Sequence, residues 1–275
     1  MLMSTHRLED RYFSRMKKSI DSKAVLVDFA KPGTVLDVGA GGPELSLRFK
    51  EAGFSPQALD VSVDSIKRLE AAGIPAVYGH AENIQELVKE PLDNIVFSSI
   101  LHEVFSYSQE DGREAIRETL KGAFEALKPG GRLLIRDGVK TDRGAEASTL
   151  IAEDTESKHL IAEYLDKSPL VPTEVTLTPA GESRWSGNLA ATSEVMNTIN
   201  WGRDSLPREC QELFGVFTQD QYLTEIEDAG FVNAVALTED RTYRDYLKGR
   251  AHVEDAEGNP VWVPVTAYWV ATKPS

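Results

Sequence analysis

Val35-Leu36-Asp37-Val38-Gly39-Ala40-Gly41-Gly42-Pro43-Glu44 is the stretch of this 275-residue chain that decides its fold. The apolar run fits a buried strand, the glycines fit a tight turn, and Pro43 suits the first position of a helix. Missing β-carbons let a ligand lie against the turn, where N–H groups at the helix start offer hydrogen bonds. The competing reading is a turn that serves structure alone. Asp60 stands 21 residues after Gly39, where it would end the neighbouring strand and could accept the hydroxyl hydrogens of a ribose. Its alternative role is a helix N-cap, which Ser62 or Asp64 could fill instead. A dinucleotide fingerprint fails, because Glu44 occupies its third glycine slot and would set a carboxylate against a pyrophosphate.

Outward from this stretch, short β-branched runs alternate with amphipathic segments, the pattern of a parallel sheet covered by helices. Strands are expected at 34–38, 57–60, 76–78, 94–99 and 132–136. The clearest helix carries Ile116, Leu120, Ala123, Phe124 and Leu127 on one stripe, and Lys128-Pro129-Gly130-Gly131 stops it. Gly53, Gly73 and Gly230 each follow an alanine at a helix end, as left-handed C-caps do. Thr218 and Gln221 form a capping box, a sixth strand follows at 231–237, and a seventh enters the sheet after Pro264 in the run 262–271.

The expected architecture is α/β: a seven-stranded, mostly parallel, Rossmann-like sheet with helices on both faces. Residues 140–217 are too long for a structureless loop and read as an inserted helical lid subdomain, with helical stretches at 145–164 and 190–200. The expected order is an N-terminal helical segment covering the cofactor site (1–31), a cofactor-binding core (32–139), the lid (140–217), and the rest of the core sheet (218–275).

Composition narrows the class. With 41% hydrophobic and 27% charged residues the chain is ordinarily globular. Thirty basic against 44 acidic residues give a net charge of −14, which repels polyanions over most of the surface; the first 31 residues, with seven Lys or Arg and four acids, are the local exception. Cys210 is the single cysteine, which excludes an intrachain disulfide or a cysteine zinc cluster. No signal-peptide pattern or apolar run of about 18 residues is present, so a cytoplasmic protein without a membrane partner is expected. Five histidines without ligand spacing give no support for a metal.

The 35–42 stretch resembles motif I of the class I S-adenosylmethionine-dependent methyltransferases, and Ala126-Leu127-Lys128-Pro129-Gly130-Gly131-Arg132-Leu133-Leu134-Ile135 resembles their fifth-strand signature. The likeness covers residues 34–137 well. It implies S-adenosylmethionine as cofactor and S-adenosylhomocysteine as product. It also implies that Gly39, Ala40, Gly41 and Gly42 pass beside the methionine part, with Asp37 near its amino group. Asp60 would hold the ribose, and Val61 would pack on the adenine. Where many members carry Gly-Asp-Ala, this chain has Gly79-His80-Ala81-Glu82-Asn83. Either His80 and the Ala81 N–H meet the base, or Glu82 takes the acidic role; a plain turn and helix cap is the competing reading.

The resemblance brings the fourth-strand exit, Ser98-Ser99-Ile100-Leu101-His102-Glu103-Val104, near the transferred methyl. Ser98 and Ser99 could then line the cofactor, and His102 and Glu103 could orient or deprotonate a nucleophile. A packed histidine and a solvated glutamate are the alternative. An N-terminal helix would carry Tyr12, Met16, Ser19 and Lys23 on one side. It would either cover the cofactor, with Tyr12, Met16 or Lys23 touching it, or dock on the sheet. Together with 99–104 it resembles poorly characterised bacterial and phage methyltransferases.

No Asn- or Asp-Pro-Pro-Tyr follows the fourth strand and no Pro-Cys pair occurs, which disfavours N6-adenine and C5-cytosine chemistry. The expected function is methyl transfer to an oxygen or nitrogen nucleophile of a small molecule or peptide. The alternatives are a nucleic-acid methyltransferase using the basic first helix with Arg203 and Arg208, a non-catalytic S-adenosylmethionine-binding protein, and, third, an NAD oxidoreductase. The sequence leaves the oligomeric state open.

Overall fold

The structure, a computed structural model, describes residues 20–109, 111–239 and 248–275. Tyr12 and Met16 lie outside them. From the N-terminal side run α1 (Ile20–Phe29), β1 (Thr34–Val38), α2 (Glu44–Glu51), β2 (Ser55–Asp60), α3 (Val63–Ala71), β3 (Ala76–Tyr78), α4 (Ile84–Leu87), β4 (Leu92–Ser98), α5 (Leu101–Tyr107), α6 (Gly112–Ala126) and β5 (Leu127–Gly138). There follow β6 (Ala147–Ala152), α7 (Thr155–Lys167), β7 (Leu177–Gly181), β8 (Arg184–Asn188), α8 (Leu189–Ile199), α9 (Leu206–Glu209), α10 (Gln219–Asp228), β9 (Val232–Glu239), β10 (Ala251–Asp255), β11 (Pro260–Val261) and β12 (Thr266–Thr272).

A seven-stranded sheet has the order β3-β2-β1-β4-β5-β12-β9. Its strands β3, β2, β1, β4 and β5 pair in parallel. Near the start of β5 the Gly130 N–H donates to Lys273 O and the Lys273 N–H to Gly131 O, while past its end Val139 N–H donates to Val265 O, so β12 runs antiparallel to β5. Beginning at Thr266, β12 starts after Pro264, which has no N–H to give a ladder. Burial on both faces explains the continuous apolar strands. On one face Leu26 of α1 and Leu45 and Phe49 of α2 pack on Val35, Val96 and Leu134. Helix ends follow local chemistry: Ser62 Oγ accepts from the Ser65 N–H at α3, and Thr218 and Gln221 exchange reciprocal bonds at α10 (2.9 and 3.3 Å).

The chain divides into two compact units. The first comprises described residues through Asp137, Leu223–Ala236 and Tyr268–Ser275; the second comprises Gly138–Tyr222 with the described part of Leu237–Ala267. The second unit therefore takes in residues beyond 140–217, because β10 pairs antiparallel with β6, setting Val253 opposite Leu150. Its five-stranded sheet has the order β11-β10-β6-β8-β7. Leu150, Leu160, Ile161, Tyr164, Trp185 and Val195 belong to its own core. The expected helix over 145–164 is corrected here. Ala147–Ala152 is a strand with alternating burial, and Asp154, accepting from the Ser157 N–H, starts the helix only at Thr155.

Candidate active site

Parallel pairing brings the carboxyl ends of the central strands to one level: Val38 lies beside Leu59 and Phe97, and Phe97 beside Ile135. The residues just beyond, Gly39, Asp60, Ser98 and Arg136, therefore share the sheet edge where open α/β sheets bind ligands. Gly39 and Gly41 turn with φ of 63° and 61°, a conformation that disfavours a side chain. A β-carbon on Gly39 would also stand 2.3 Å from Ile100 Cγ1, so the turn abuts the β4 exit. The Gly39 N–H donates to Leu59 O at 2.7 Å.

Asp60 is buried and ties the turn to its neighbour. Its Oδ2 accepts from the Gly41 N–H and its Oδ1 from the Ser62 N–H, both at 2.7 Å. Asp37 lies fully buried within β1, accepting from Ser46 Oγ at 2.8 Å. Desolvation pushes its carboxyl up to about 6, against the Ser46 hydrogen bond and the charge of Lys23. Lys23, on α1, is itself buried; desolvation, and then the charge of Arg136, bring its ammonium down to about 8, against the pull of Asp37, Glu103 and Asp137. The structure thus brings Lys23, Asp37, Asp60 and Glu103 into one electrostatic neighbourhood.

At the β4 exit Ser99 adopts φ of 61°, held by an N–H bond to Arg136 O and by its Oγ accepting from Arg136 Nη1 at 2.9 Å. Ser98 Oγ is buried without a hydrogen-bond partner. His102 is buried, and its Nδ1 lies 2.5 Å from Asp137 Oδ1. Asp137 Oδ2 accepts from the Ile100 and Leu101 N–H groups at 3.0 and 2.6 Å, anchoring the start of α5. Glu103 is half-buried beside them.

The proposed adenine side is more open. Val61 is 41% exposed and Tyr78 is 55% exposed, unusual for large apolar side chains. The Gly79 N–H donates to Asp60 O, fixing the next turn. Within that turn His80 is exposed, Ala81 buried and Glu82 half-buried. Ala40 and Gly42 are buried in the glycine turn.

No protein-family model and no curated protein sequence matches the chain. Solved structures do. An S-adenosylmethionine-dependent methyltransferase from Archaeoglobus fulgidus is similar over 96% of this chain and 100% of its own, with 16% identity and a TM-score of 0.56. A 1,6-didemethyltoxoflavin-N1-methyltransferase from Burkholderia thailandensis, solved with 1,6-didemethyltoxoflavin and S-adenosylhomocysteine bound, is similar over 96% and 82%, with 15% identity and a TM-score of 0.52. A putative O-methyltransferase from Nostoc punctiforme is similar over 96% and 58%, with 12% identity and a TM-score of 0.54. This chain has the class I methyltransferase fold.

Within the methyltransferase fold, Asp137 and Arg136 are the site residues that sequence reading passed over. Both end the fifth strand, and a carboxylate at the carboxyl end of a parallel strand was the available signal. Ser46, two residues into α2, was equally silent, since its partner Asp37 is defined only by the fold.

Proposed function

We propose that the chain is a methyltransferase that uses S-adenosylmethionine and methylates a nitrogen or oxygen of a small molecule or peptide. The observation that carries this reading is the Asp60 carboxylate at the end of β2, oriented by the Gly41 and Ser62 N–H groups beside a turn stripped of side chains. The donor set fits S-adenosylmethionine. Asp37 and Asp60 are acidic toward a ligand bearing ammonium and sulfonium charge, Ser98 Oγ is a buried polar atom that lacks a partner, and Val61 is an apolar side chain left exposed where an adenine would cover it. Asp37 and the Gly39–Gly42 backbone would hold the amino-acid part, and Asp60 the ribose. Lys23, His80, Ala81, Glu82 and Ser99 are proposed to complete the cofactor's surroundings.

S-adenosylmethionine, when bound, supplies a methyl group already activated on a sulfonium sulfur. The protein's part is alignment and proton management. With Nδ1–H donated to Asp137, His102 has Nε2 as its basic nitrogen, suited to take the proton of a hydroxyl nucleophile, or of an ammonium that attacks only once it is the neutral amine. Glu103 is proposed to orient that nucleophile. The neighbours' names, one for a nitrogen and one for an oxygen acceptor, support either atom.

Titration calorimetry of the full chain with S-adenosylhomocysteine tests the reading. Saturable binding is expected for the wild type, with a loss of about 100-fold or more in Asp60→Ala, the scale of a hydrogen-bonded charge left out (about 3 kcal/mol). No heat from folded wild-type protein with either the methyl donor or its product overturns it.

A further inference from the structure

The second unit has a cleft of its own, about 430 Å³ with its open mouth. Its polar lining includes Lys140, Glu174, Ser193, Glu194 and Asn197, and its apolar lining includes Val139, Leu213 and Val265. Helix α8 supplies three of the polar residues at i, i+1 and i+4, on a helix otherwise buried by Leu189, Val195, Met196 and Ile199. Core positions on such a helix ordinarily carry apolar side chains.

Here the fold keeps four polar ones, of which Thr192 and Thr198 bond back to carbonyls of Asn188, Leu189 and Glu194, leaving Glu194 and Asn197 to be explained. Glu194 is only 6% exposed, and its carboxylate is clamped by the Phe214 and Gly215 N–H groups at 2.8 and 2.9 Å. Asn197 is 3% exposed, and its Oδ1 is buried with no hydrogen bond. A buried acceptor without a donor costs stability that an apolar residue would not, and its retention in a cleft wall marks a contact completed from outside the chain. A β-carbon on Gly215 would come 3.1 Å from Glu194 Oε2, so glycine there leaves the carboxylate accessible to its clamp.

Charge selects the guest. Glu174 and Glu194 face the cleft against the single cation Lys140, and neither Lys140 nor Glu174 is in an ion pair among the described residues. We propose that this cleft binds a small primary amine, its ammonium N–H groups meeting Asn197 Oδ1 and the Glu194 and Glu174 carboxylates while its carbon skeleton lies on Val139, Leu213 and Val265. The inference stands independently of the methyl-transfer reading, and its test contains no methyl donor.

The probe is ethylamine, with ethanol as its neutral counterpart, titrated into the isotope-labelled full chain by NMR. Saturable binding is expected, shifting the Phe214 and Gly215 amide signals, and at least tenfold weaker for the alcohol. Asn197→Leu should bind the amine at least tenfold more weakly yet melt at a higher temperature without ligand. A merely structural asparagine would lower the melting temperature when replaced. Glu174→Gln, at an exposed position, should fold normally and bind several-fold more weakly, which keeps the test decisive if Asn197→Leu fails to fold. Absence of saturable amine binding by the wild type, equal binding of the alcohol, unchanged affinity in Glu174→Gln, or a lowered melting temperature in Asn197→Leu overturns the proposal.

Discussion

Asp37 shows the site in tension with the fold at the scale of one side chain. An acid whose pKa is raised by folding, from 3.8 to about 6, holds its proton more tightly in the native state. Its contribution is full below pH 3.8 and is lost as pH climbs to about 6. Asp37→Asn should therefore raise stability at pH 7 by about 3 kcal/mol, flatten the pH 4–6 dependence in urea denaturation, and weaken S-adenosylhomocysteine binding. Lys23 works in the opposite sense. Its native value of about 8 against 10.5 unfolded means that stability rises between those pH values as the buried amine sheds its charge, and Lys23→Met should abolish that rise. His102→Gln should lower the single-turnover rate by about 10²–10⁴-fold with donor affinity nearly unchanged, and recover rate at alkaline pH where the acceptor ionises unaided. His102 was open to notice in the sequence because it follows the carboxyl end of a parallel strand. Its partner Asp137 was not, since 35 residues separate the two and only the β4–β5 register joins them.

Among the elements, the β1 turn and the β4 exit behave as one piece. Gly39→Ala would combine a left-handed alanine with a β-carbon 2.3 Å from Ile100 Cγ1, so a destabilisation of at least about 2 kcal/mol is expected. Adding Ile100→Ala should return the steric part and leave about 1 kcal/mol of backbone strain, read from a double-mutant cycle in denaturant. The strands around this turn were legible because buried parallel strands are short, apolar and bounded by glycine: β1 and β3 fall at their expected limits. Residues 145–164 misled for the converse reason. Alanine, glutamate and leucine suit a helix locally, whereas the tertiary pairing of Ala147–Ala152 with both β8 and β10 makes that piece a strand.

For the whole molecule the acidic surplus is the dominant long-range property. A net charge of −14 opposes nucleic acid, and two of the cations considered as a phosphate surface are engaged: Arg203 reaches Glu156 and Glu163, and Arg208 reaches Glu212, while Arg7, Arg11, Arg15, Lys17 and Lys18 of the basic first segment lie outside the described residues. Binding to duplex DNA at 150 mM salt, on the order of physiological ionic strength, should be undetectable by fluorescence anisotropy, and a steep salt-dependent isotherm would instead favour a nucleic-acid acceptor. The division into units also has a practical consequence. Because the polypeptide contributes to the second unit twice, on either side of Leu223–Ala236, that unit cannot be cut out at a single pair of ends. Removing 138–222 alone would strip β10 of its β6 neighbour and leave an open strand edge looking for a mate, so grafting or excision has to carry both pieces or produce aggregate.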